Sequence, residues 1–234
     1  MPVSLTYLIL NAGVIFFPAF LSFDRKVRFA GQWKRWGLAI PFTAVIFIVW
    51  DIWKTRQGVW SFNPRYLMGY YLDVLPVEEV IFFFTIPYAC LFIYACIKVY
   101  FPRASLILPR QGWWALAILA TMGAIRWQDK LYTSVNFAYA SLVFILSAFR
   151  NEKLGAFPLA YILHLVPFFL VNGILTAWPV VVYNNEETLG IRLGTIPLED
   201  TVYSLNLLLT NVLIYESPLI FKRQTATGSF SETH

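Results

Sequence analysis

Seven apolar stretches, at residues 4–22, 36–53, 76–98, 111–126, 131–149, 156–178 and 197–219, restrict the chain to one kind of fold. A helix needs about 20 mostly apolar residues to cross a bilayer, and a backbone in lipid must satisfy its own hydrogen bonds. The composition agrees: 59% of the 234 residues are hydrophobic and 13% are charged, against about 45–50% and about 25% in soluble domains. The reading is an all-α integral membrane protein with seven transmembrane helices. The fourth stretch, "GWWALAILATMGAI", is the shortest and is rich in Trp. Prolines 18, 41, 87 and 167 fall within stretches, where neighbouring helices can cover the freed carbonyls. No Lys or Arg precedes the first stretch, so it reads as a permanent span rather than a cleaved leader. Residues 222–234, ending in "QTATGSFSETH", read as a polar, disordered tail. Cys90 and Cys96 lie six residues apart on one predicted helix and face different directions, so no disulfide is expected between them.

The net charge of +5 is less informative than its placement. Basic runs such as "DRKVRF" and "KRW" flank apolar stretches, as in cytoplasmic loops, which argues against nucleic-acid binding. Seven spans put the termini on opposite sides. The N-terminal side, side A, receives Lys54, Arg56, Arg65, Arg126, Lys130 and Arg192, and side B the other twelve of eighteen bases. The positive-inside rule then makes side B cytoplasmic. Nine of the thirteen acids lie on side A, near the outer face.

The chain also repeats itself. At a constant offset of 121, Phe62 meets Tyr183, Asn63 meets Asn184, Gly69 meets Gly190, Leu72 meets Leu193 and Leu75 meets Ile196. Pro76 then meets Pro197, Glu78 meets Glu199, and Glu79 meets Asp200. "PF" at 41–42 matches "PF" at 167–168 at an offset of 126. The expected organisation is a first repeat over 1–100, a linking span over 101–130, a second repeat over 131–221 and the tail. A fourth span returns the chain so that both three-helix repeats run the same way, and such parallel repeats create a site between the halves.

The acidic pairs in "LPVEEVIFFF" and "IPLEDTVY" are good helix starts on general grounds, because Pro suits a first turn and acids complement the helix dipole. A functional role rests on their recurrence at equivalent positions, beside apolar stretches where ionisable groups are costly. No base lies within a turn or two on the same helix, although Arg65 or Arg192 could reach them from the loops. Adjacent helical residues point about 100° apart, so coupling across the repeat, Glu78 with Glu199 or Glu79 with Asp200, is the expected arrangement. A protonated carboxyl beside an ionised one supplies an acid and a base in one site. Phe82, Phe83, Tyr203 and Asn206 follow within about two turns and are candidate substrate contacts. Aromatic faces there can stabilise a carbocation.

These residues resemble the small, membrane-embedded lycopene β-cyclases, whose two homologous domains occur as separate subunits or fused. The family signature, Pro-x-Glu-Glu/Asp in each domain, is met by Pro76-Val77-Glu78-Glu79 and Pro197-Leu198-Glu199-Asp200, and Tyr215-Glu216 also fits. The resemblance covers the chain to about residue 220. It implies non-redox cyclisation of the linear ends of lycopene, giving γ-carotene and β-carotene. A carboxylic acid protonates the terminal double bond, the C5–C6 double bond closes the ring, and a carboxylate removes the C6 proton. The signature does not fix donor and acceptor. Because both repeats keep Glu there, Glu78 and Glu199 are the expected proton-transfer residues, with Glu79 and Asp200 orienting them or acting as partner base. No Gly-x-Gly-x-x-Gly fingerprint occurs, and no dinucleotide cofactor is expected.

Other readings are a cyclase for C50 or other carotenoids and a proton-coupled transporter using the acids as relays. A retinal protein needs a mid-span lysine, whereas Lys98, Lys130 and Lys222 lie at ends or in loops. The aspartates other than Asp200, at 24, 51, 73 and 129, are too scattered for a diphosphate-binding motif. Two histidines argue against a metal site, and His164 reads as a helix–helix hydrogen-bonding residue.

Overall fold

The computed structural model describes residues 4–103, 108–150 and 154–217. Among them are seven α-helices that coincide with the apolar stretches: α1 Thr6–Leu21, α2 Trp33–Arg56, α3 Val77–Tyr100, α4 Arg110–Arg126, α5 Leu131–Ala148, α6 Phe157–Ala177 and α7 Leu198–Tyr215. The tail lies outside the described residues, as do Lys153, Lys222 and Arg223. Four helical segments, Ala30–Arg56, Val77–Tyr100, Leu131–Ala148 and Phe157–Ala177, are long and apolar enough to cross a membrane. The outer surface is apolar as well: Ile9, Phe17, Val45, Leu119, Val166 and Leu170 are all more than half exposed. Large exposed apolar surface of this kind marks a membrane or partner-facing exterior, and with the four long helices it suits a multi-pass membrane protein.

The other three helices differ for identifiable reasons. α1 and α4 have 16 and 17 residues. α7 carries Glu199, Asp200, Asn206 and Asn211, all buried. It packs against α2, α3, α5 and α6, so its surface meets protein and can be more polar than a lipid-facing helix. α4 lies along α5 and buries Trp113, Ala117, Ala120 and Gly123. Small residues on one stripe bring the two backbones close, and Ser141 Oγ bonds both Thr121 Oγ1 (2.7 Å) and the Ala117 carbonyl (3.0 Å).

The helices pack with a pseudo-two-fold relation: α1 on α3 matches α5 on α7, and α2 on α7 matches α6 on α3. The expectation of an all-α chain needs one correction. The segments between helices form three two-stranded antiparallel ladders, because the short loops of the two repeats pair with themselves and with each other. β1 Trp60–Phe62 pairs with β4 Val181–Tyr183, joining Trp60 to Tyr183, Ser61 to Val182 and Phe62 to Val181. Ser61 and Val182 are equivalent at the offset of 121, so the pseudo-axis passes through the centre of this ladder. In each repeat a hairpin then delivers the chain to a helix: β2 Tyr71–Leu72 with β3 Leu75–Pro76, and β5 Arg192–Leu193 with β6 Ile196–Pro197. Their two-residue turns contain Asp73 (φ 58°) and Gly194 (φ 65°) at equivalent places, as turns matched to strand twist require.

Upstream of each hairpin sits Gly69 (φ 90°) or Gly190 (φ 73°). A Cβ at Gly190 meets no heavy atom within 4 Å, so the demand is on the backbone alone. Gly190→Ala is expected to destabilise the fold by about 1–2 kcal/mol, seen as a lower Tm in detergent.

Candidate active site

Each hairpin ends on its proline, and the next residue begins the helix, with Pro76 and Pro197 as the residues preceding Val77 and Leu198. This places both acids of each pair in the first turn. Because neighbours on a helix diverge, the two acids of a pair do different things.

Glu78 and Glu199 turn back onto their own loops. Glu78 Oε1 accepts from the Met68 amide (2.6 Å), and Glu199 Oε1 from the equivalent Leu189 amide (2.5 Å) and from Thr133 Oγ1 (2.7 Å). Their backbone carbonyls receive Asn11 Nδ2 (3.1 Å) and Asn136 Nδ2 (2.8 Å). Those asparagines are held in turn by Thr85 Oγ1 on Asn11 Oδ1 (2.7 Å) and Asn206 Nδ2 on Asn136 Oδ1 (2.8 Å). Asn206 therefore belongs to a buried clamp and is not among the residues lining the cavity described below. Glu78 and Glu199 do not line it either, whereas Glu79 and Asp200 do.

Glu79 and Asp200 face a shared cavity. Glu79 Oε2 accepts from the Tyr7 hydroxyl (2.5 Å). Asp200 accepts three bonds: from Tyr132 on Oδ1 (2.6 Å), and from Asn172 (2.9 Å) and Tyr183 (2.8 Å) on Oδ2. Burial, reinforced by Asp200, pushes the Tyr183 phenol well above its ordinary value, which keeps it a donor. Tyr7 and Tyr132 are counterparts on α1 and α5. The halves have diverged in the number of donors, from one to three.

A third carboxyl, Asp51 on α2, lines the same cavity and accepts from the Tyr203 hydroxyl (2.7 Å). One turn on, Lys54 is fully buried and is the only buried Lys or Arg among the described residues. Its Nζ sits 4.1 Å from the Trp50 ring centre, 4.3 Å from Tyr132, 5.4 Å from Trp60 and 5.5 Å from Tyr203, enclosed in an aromatic box. Lys54 Nζ has no hydrogen-bond partner. This corrects one expectation: Lys54 is a buried residue of α2 and not a loop base of side A. Arg192 instead bonds Thr195 and Asn185 of its own loop.

The cavity holds about 1000 Å³ of empty space, its mouth included, and both halves line it. Along α3 its wall runs from Glu79 to Ile93, roughly 20 Å of helix at 1.5 Å per residue. The acids sit at one end. Beyond them the wall is mainly apolar, with Cys90 and His164 toward the other end, Sγ to Nδ1 3.1 Å. His164 thus bridges α6 and α3, and both cysteines are free. Phe82 and Tyr203 line the cavity. Phe83 is not among its lining residues; it is fully buried and packs on Phe47 at 6.2 Å between ring centres.

Sequence reasoning passed over Tyr7, Asp51, Lys54, Tyr132, Asn172 and Tyr183. The repeat carried the signal: Asp51 meets Asn172 at the offset of 121, while Tyr7 meets Tyr132 and Asn11 meets Asn136 at 125.

The family model for lycopene cyclase matches residues 4–97 and 129–217, one segment for each half of the cavity. No curated protein and no solved structure gives a significant match. A buried carboxyl cluster at the end of a long apolar cavity, shared between two matched segments, is the setting in which the chain belongs to the lycopene cyclase family.

Proposed function

We propose that the protein is a lycopene β-cyclase that closes β-rings on the linear ends of lycopene by acid–base chemistry without net redox change, giving γ-carotene and then β-carotene. The observation that supports this most is the confinement of the cavity's carboxyls to one end of a long apolar channel. A linear hydrocarbon entering end-on brings its terminal double bond to the acids and leaves its length on apolar wall.

Glu79 is the proton donor in this reading. It accepts a single hydrogen bond, and no described residue bonds its Oε1. The proton adds to C2, leaving a tertiary cation at C1. The C5–C6 electron pair closes the C1–C6 bond and moves the charge to C5. Asp200, anchored by Tyr132, Tyr183 and Asn172, is a fixed anion facing that charge, and preorganised charge of this kind requires no rearrangement during reaction. Phe82 and Tyr203 contribute ring walls. Glu78 and Glu199 hold the loops and helix starts in register.

The seven helices cross the membrane as two parallel three-helix repeats, residues 1–100 and 131–221, joined by the linking span in 101–130. With Lys54 buried, side A keeps five of the bases assigned to it against twelve on side B, an asymmetry that supports a cytoplasmic side B.

Three outcomes test this reading. In lycopene-accumulating cells, Glu79→Gln is expected to lower ring formation about 100-fold or more at equal protein level, and an unchanged β-carotene yield contradicts the assignment. Glu199→Gln is expected to cost about 1–3 kcal/mol of stability by disturbing the Leu189 and Thr133 bonds, read as a lower Tm, with the ring type unchanged. A reporter fused after His234 is expected to be cytoplasmic, and an external signal contradicts the orientation.

A further inference from the structure

Asp51 is the cavity carboxyl that neither acidic motif accounts for. It is buried, it lies on a different helix from either pair, and it lines the cavity. Its Oδ1 accepts from Tyr203, and no described residue bonds Oδ2. Asp200 differs, since three donors occupy both of its oxygens. Three of the four acceptor positions of Asp200 are thus taken, against one of the four on Asp51.

The pseudo-two-fold places Asp51 with equal clarity. Its counterpart, Asn172 on α6, contacts Asp200 on α7 at 2.9 Å. Asp51 on α2 is the sequence equivalent of Asn172, lines the same cavity as Glu79 on α3, and is within electrostatic reach of it. Lys54 lies at i+3 on the same helix face, within electrostatic reach of both Asp51 and Asp200. Its aromatic box keeps it from forming an ion pair with either, since the described salt bridges are Arg56–Asp73 and Lys98–Glu216. Lys54 therefore leaves the open oxygen of Asp51 unoccupied.

Resting on the cyclase reading above, we infer that Asp51 is the catalytic base that removes the C6 proton. The geometry of ring closure supports the pairing. C2, which gains a proton, and C6, which loses one, are separated by the single carbon C1, so donor and base must both reach the same end of the substrate, as two carboxyls lining one end of the cavity do. The step balances. The Glu79 O–H bond breaks and a C2–H bond forms. The C6–H bond then breaks, its electron pair becomes the C5–C6 double bond, and the proton goes to Asp51 Oδ2. The enzyme is left with Glu79 ionised and Asp51 neutral, and one proton returning between these neighbours restores it. No oxidant or reductant is consumed.

The test is the ring type made by Asp51→Asn and Asp51→Glu in full-length protein, with wild type and Glu79→Gln alongside. A cation at C5 deprived of its base loses a proton elsewhere, from C4 to give an ε-ring or from the C5 methyl to give an exocyclic γ-ring. Asp51→Asn is expected to form β-rings about 100-fold more slowly, with ε- or γ-rings among the residual products, while Asp51→Glu keeps β-rings. Asp51→Asn with no product, beside an Asp51→Glu that makes β-rings, also supports the base. β-Rings alone at near wild-type rate from Asp51→Asn overturn it, as does loss of all product from both variants in protein that remains folded. A wild type that makes no ring from lycopene instead fails the cyclase reading itself.

Discussion

Five carboxyl side chains, those of Asp51, Glu78, Glu79, Glu199 and Asp200, are buried within one end of the bundle, and the cost of burying them organises everything around them. An uncompensated buried charge is expensive enough that such groups are found paired or hydrogen-bonded. Here the compensation is distributed. Loop amides serve Glu78 and Glu199, phenols from α1 and α5 serve Glu79 and Asp200, and Tyr203 serves Asp51. Each partner lies on a different element from its acid, so helix packing, the hairpins and the β1–β4 ladder all have to be in place before the acids can be buried.

The duplicated frame makes the site and its divergence makes the site asymmetric. The asparagine on the backbone carbonyl and the loop amide on Oε1 recur from Glu78 to Glu199, with Asn206 in place of Thr85 behind the asparagine. At the cavity the halves part company. Where one has Asp51, Lys54, Phe62 and Phe82, the other has Asn172, Leu175, Tyr183 and Tyr203. One half thus collects acids with open oxygens, while in the other Asn172 and Tyr183 join Tyr132 in fixing Asp200 and Tyr203 reaches across to Asp51. Acid–base catalysis requires groups of unlike protonation, and divergence between the halves is one way to provide them.

Much of the fold was legible because lipid and backbone chemistry leave few choices. Pro76 and Pro197 with their acids marked the starts of α3 and α7, and the apolar runs marked the helices. The rotation of those helices was not legible. Nothing in "PVEE" says which acid turns to the cavity; that depends on the hairpin bringing the Met68 amide to Glu78. Phe83 and Asn206 were misplaced for the same reason, lying on the faces of α3 and α7 that meet other helices. Lys54 sits at the end of an apolar run, where a basic residue ordinarily reaches water. Only the convergence of Trp50, Trp60, Tyr132 and Tyr203 from four elements explains its burial.

The central claim is that a solvent-exchangeable acid of the protein supplies the proton that starts ring closure. Its most direct test is the mass of the product formed in D2O by an excess of enzyme first equilibrated in D2O, so that each site turns over once. The account predicts one deuterium for each ring closed, carried at C2, and its loss together with ring formation in Glu79→Gln. Ring formation at full yield with no deuterium in the product contradicts it.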